Sequence, residues 1–125
     1  MLARYRIVRG ARAVSDPLPE GVRQDTRKHT RHILRPSAEL VVSLLRQPSE
    51  ATFAKFRAGY LQLLEARFRG DRAPFDALRD LALREPVFLG CNCPTAKQPD
   101  VARCHTVLAL GFLARRYPEL DVRWP

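Results

Sequence analysis

The chain reads as a small α/β domain, a three-layer sandwich of about four mostly parallel strands with helices on both faces. Three observations predict this. Short runs rich in β-branched and aromatic residues, such as Pro86-Val87-Phe88-Leu89-Gly90, read as buried strands. Longer segments between them carry apolar residues at helical spacing. The order strand, helix, strand near the C-terminus implies a right-handed parallel crossover. A length of 125 residues fits one domain, residues 1–125, and 46% hydrophobic content is enough for one core.

Taken in order, Arg4-Tyr5-Arg6-Ile7-Val8 reads as an opening strand. Residues 11–24, with Pro17, Pro19 and Gly21, read as a loop. Val22–Thr26 is a candidate second strand. His29 and His32 are three apart and would share a helix face; solvated histidines compete with a metal pair there. Ser37 is placed to cap a helix whose apolar face is Leu40, Val41, Leu44 and Leu45. Ser49 opens a longer helix with Phe53, Phe56, Tyr60, Leu63, Leu64 and Phe68 inward and Gly70 at its end. Asp71 caps a third helix, which Pro86 stops. A strand over 86–90, a cysteine loop, a helix from about Ala102 to Arg116 and a last strand over Leu120–Trp124 complete the chain.

All three cysteines, Cys91, Cys93 and Cys104, lie in the loop between that strand and that helix, with His105 beside the last. In open α/β sheets, ligand sites gather at the carboxyl ends of strands. Cys91 and Cys93, two apart on extended chain, leave the same face. With Cys104 and His105 they form a zinc-type ligand set, although neighbours such as Cys104 and His105 meet one ion only if the chain bends between them. A second reading is a reactive thiol: Cys104 falls near a helix start, where unpaired N–H groups favour an anion, and His105 could carry a proton. A small thiol-dependent enzyme acting on a nucleotide-like or phosphorylated substrate is the corresponding function. A third reading makes the cysteines small buried hydrophobes.

The chain has 22 basic and 13 acidic side chains. Residues 1–35 hold nine basic against three acidic groups. Arg103, Arg9, Arg27 and Asp25 are therefore candidate ligand-binding residues around a small anionic ligand. A basic nucleic-acid-binding module is a further alternative, though apart from Tyr5 no aromatic residue is interleaved with the basic ones of residues 1–35. No apolar run is long enough for a membrane span, and no apolar segment follows the basic start, so a cytoplasmic location is expected and no membrane partner.

At Val87–Leu89, Cys91/Cys93 and Cys104-His105 the sequence resembles domain-of-unknown-function family 488, whose members place a Cys-x-Cys turn after a strand and Cys-His at a helix start. Leu34–Val41 is similar to that family's Pro-Ser-x-Glu-Leu segment, Phe56–Leu61 to its Phe-x-x-x-Tyr helix and Asp25-Thr26-Arg27 to a short Asp-containing strand. The resemblance covers about residues 22–118; Thr106 stands where an Arg is common. Family 4326 shares the Cys-x-Cys and Cys-His turn. The resemblance implies a small α/β fold and no defined reaction.

Overall fold

The computed structural model describes all residues, Met1–Pro125. Its sheet has three parallel strands, β1 (Leu2–Arg6), β2 (Val22–Asp25) and β3 (Val87–Cys91), in the order β1-β3-β2. The helices are α1 (Ala38–Arg46), α2 (Glu50–Gly70), α3 (Ala73–Arg84) and α4 (His105–Arg116). A 3-10 turn, Val101–Arg103, precedes α4.

The expected fourth strand, Leu120–Trp124, is reduced to a single parallel bridge between Leu2 and Val122. Leu2 donates to Asp121 and accepts from Arg123, and the contact goes no further. A Pro at 125 and flanking charged residues leave little apolar surface there to extend the pairing. The first strand also begins earlier than the pattern implied, at Leu2, because Leu2 pairs in register with Val87 and both are fully buried.

Burial explains the strand order. β3 is the central strand and the most apolar, with Val87 and Leu89 buried on one face. Those two join Leu2, Leu44, Phe56, Tyr60, Leu64, Phe75, Leu78 and the α4 residues Leu110, Phe112 and Leu113 in one core cluster. All four helices contribute to this cluster together with Val87 and Leu89 of the central strand. On the far face, Phe88 and Gly90 are met instead by Gly21, Tyr5 and Ile7: a Cβ at Gly90 would lie 2.7 Å from the Tyr5 ring and 2.8 Å from Ile7.

The helix ends follow their caps. Ser37 accepts from Leu40 N–H, and Ser49 and Thr52 form a reciprocal capping box. At α3 the expectation is corrected: Asp71 accepts from Ala73 N–H at 3.2 Å, but the N-cap position is held by Arg72, which makes no side-chain cap bond. The helix expected from about Ala102 instead begins at His105, because Cys104 is extended (φ −75°, ψ 143°) and serves as its N-cap.

Candidate metal centre

The site forms where β3 runs out and α4 begins. Cys91 is the last residue of β3 and Cys104 the N-cap of α4; Cys93 lies in the loop between them, before a cis Cys93–Pro94 peptide. Cys91 and Cys93 leave the same side of extended chain, as alternation requires. The three sulfurs lie within 4.8 Å of one another. All three cysteines are free thiols. Zinc–sulfur bonds of about 2.3 Å in a tetrahedron place sulfurs about 3.8 Å apart, so a small inward shift closes the set on one ion. These three cysteines could hold a metal ion.

His105 stands beside the sulfur set, not within it. Its Nδ1 is 3.9 Å from Cys104 Sγ, and its Nε2 is 2.8 Å from Thr26 Oγ1. Thr26 is fully buried one residue past β2 and donates its hydroxyl proton to Gly90 O at 3.0 Å. The Thr26 oxygen is then the acceptor for His105 Nε2–H, which leaves Nδ1 facing sulfur. The His105 ring also meets the Tyr60 ring edge-on, with centroids 5.8 Å apart.

A second polar chain supports Cys104. Thr106 Oγ1 donates to Cys104 Sγ at 3.1 Å, and Arg4 Nε donates to Thr106 Oγ1 at 2.9 Å. The same guanidinium donates through Nη2 to Cys93 O at 2.7 Å. Arg4 therefore joins two cysteine-bearing segments from β1.

These contacts set the charges of the metal-free centre. Hydrogen bonds from Cys91 and then Cys93 hold Cys104 well below the ordinary thiol range, with His105 adding to the effect and burial opposing it. The bond to Cys104 is the largest of the causes that push Cys93 up. Burial works against a charge on His105, but its bonds to Cys104 and Cys91 outweigh that and raise it to about 9. The favoured form is one thiolate beside one imidazolium.

A cavity of about 530 Å³ opens over the sulfurs. Cys91, Cys93, Cys104 and His105 line it, as do Arg27 and Arg103. Arg9 is exposed and does not line it. Arg27 is held by Asp25, with Nε 3.0 Å from Oδ1 and Nη2 2.7 Å from Oδ2, and its Nη1 reaches Asn92 Oδ1 at 3.3 Å. Asp25 thus orients Arg27, and its carboxyl is held below the usual range mainly by that bond. Arg103 lies over the Phe53 ring, 5.5 Å from its centroid.

Thr26, Thr106, Arg4 and Asn92 were not legible as site residues. Their one sequence signal is position: Thr26 follows β2 in register with the end of β3. The histidine pair is separated in role. His32 donates through Nε2 to Gln24 Oε1 at 2.7 Å and accepts from Leu34 N–H at Nδ1, 3.0 Å away. His29 is exposed, 3.9 Å from Asp25. Many of the N-terminal arginines also serve the fold: Arg12 bonds Asp16, Arg23 bonds Pro19 O and Arg35 bonds His32 O.

Fold and site together define a class: a small α/β domain with a three-cysteine centre able to hold a metal ion at the carboxyl end of its central strand. No family model, curated protein or solved structure matches the chain. No helix is long and apolar enough to cross a membrane.

Proposed function

We propose that Cys91, Cys93 and Cys104 bind one zinc ion through their thiolates, in a protein of the family 488 type. The observation that carries this is the mutual approach of three sulfurs drawn from a strand end, a loop and a helix start. Thiolate-rich sets select zinc and other soft ions over hard ones. Three protein ligands leave a fourth position for water, for His105 after a small shift, or for a ligand from the cavity. Free thiols in such a set call for a reducing compartment, and a cytoplasmic location belongs to this proposal.

Metal analysis of the purified protein tests it. About one equivalent of zinc per chain is expected, and Cys104→Ser should lose it; less than about half an equivalent in the wild type would count heavily against a zinc centre.

A second reading, a thiol-dependent enzyme acting on a phosphorylated substrate through Cys104, is favoured by the position of Cys104 as N-cap of α4 on the cavity wall. In metal-stripped protein Cys104 should then react with iodoacetamide faster than a free cysteine at neutral pH. A slower reaction dismisses it. The nucleic-acid reading is not extended, because Arg4, Arg12, Arg23, Arg27 and Arg35 are engaged within the fold.

A further inference from the structure

The lining of the cavity over the sulfurs combines two kinds of side chain: Lys28, Lys97 and Arg103 are cationic, and Leu44, Leu45 and Phe56 are apolar. No carboxylate lines it. The cations differ in availability. Arg27 has its guanidinium fork committed to Asp25. Lys28 and Lys97 are exposed and have no carboxylate within salt-bridge distance, and Arg103 meets Asp100 only at 4.0 Å. Two cations without an acidic partner and a third only loosely paired favour a multiply charged anion over a single carboxylate.

Size and lining narrow the class. About 530 Å³ lies in the range that small organic ligands occupy. Leu44 and Phe56 are already buried, but an inorganic anion alone would leave the partly buried Val41 and Leu45 open to water. A ligand with an apolar body covers them as well and gains the transfer energy of that area.

We propose that the cavity binds a phosphomonoester with an aromatic or other apolar body, its phosphate held by Lys28, Lys97 and Arg103 and its body against Val41 and Leu45. This deepens the reading of the same site, and rests on it for the sulfur floor, but the phosphate contacts require no metal.

Calorimetric titration of the purified protein with phenyl phosphate, inorganic phosphate and benzyl alcohol tests it. Phenyl phosphate should bind about tenfold or more tighter than either of the others. The double variant Lys97→Gln/Arg103→Gln should weaken phenyl phosphate by about tenfold or more while metal content stays as in the wild type. Lys97 is exposed and Arg103 partly so, and a thermal melt confirms that the variant folds. Equal affinity for phenyl and inorganic phosphate, or an unchanged double variant, overturns the proposal. Metal content measured on the same samples separates the two readings: phenyl phosphate binding retained in a metal-free Cys91→Ser variant supports the phosphate site on its own, whereas a wild type without metal that binds phenyl phosphate overturns the zinc reading alone.

Discussion

His105 and Thr26 are 79 residues apart in sequence and are joined by a 2.8 Å bond between Nε2 and Oγ1, both groups being buried. The bond spans from α4 to the end of β2 and fixes which ring nitrogen faces sulfur. It is the reason His105 reads as part of the centre even though its Nδ1 lies outside the closest sulfur set.

Thr26→Val keeps the shape of the side chain and removes the acceptor. His105 Nε2–H is then buried without a partner, at a cost of about 1–3 kcal/mol. Urea denaturation at neutral pH should show that loss. An unchanged midpoint would mean that the ring is held by other contacts.

Zinc should stabilise the folded protein, because only the folded chain brings the sulfurs together. At a free concentration about a hundredfold above the dissociation constant, the gain is about 2.7 kcal/mol. Differential scanning calorimetry should show a rise in Tm for the wild type and none for Cys104→Ser. An equal rise in both would place the bound ion elsewhere.

His32 should make stability depend on pH above the carboxylate range. Burial is the main cause that lowers it from 6.5 to about 4. Its Nδ1 accepts from Leu34 N–H, so a proton there must displace that bond. The unfolded chain takes up this proton first, so stability is complete above pH 6.5 and falls as pH drops toward 4. The loss is at most about 3 kcal/mol, reduced by the partial solvent access of the ring. Urea midpoints at pH 7 and pH 5 should differ more for the wild type than for His32→Gln.

Gly21→Ala should destabilise the fold by about 1–3 kcal/mol. Gly21 has φ +141°, and a Cβ there would lie 2.6 Å from Pro86 O, a backbone atom just before β3. Thermal unfolding is the check; a variant as stable as the wild type would show that the β2 entry can move without cost.

Much of the fold was legible because its signals are local. Ser37 and Ser49 cap the helices they precede, and the apolar run at 87–89 is the central strand. The last strand was not, because residues 120–124 have strand-like composition but only Leu2 as a pairing partner. The site was legible to the extent that chemistry is concentrated in one loop: the cysteines do converge. Its supporting groups were hidden because they come from elsewhere in the chain. Nothing adjacent to Arg4 or Thr26 marks either as a neighbour of sulfur; parallel register with β3 puts them there. Likewise, charge alone could not separate Arg27, committed to Asp25, from Arg103, which is nearly free of acidic neighbours.

The link from Arg4 through Thr106 to Cys104, with its branch to Cys93 O, gives the opening strand a role beyond pairing. A protein shortened by its first half-dozen residues would keep every cysteine and still lose the brace that aligns two of them. Tags or fusions that tug on the amino end would thus be felt at the cysteine centre, at a distance from any sulfur.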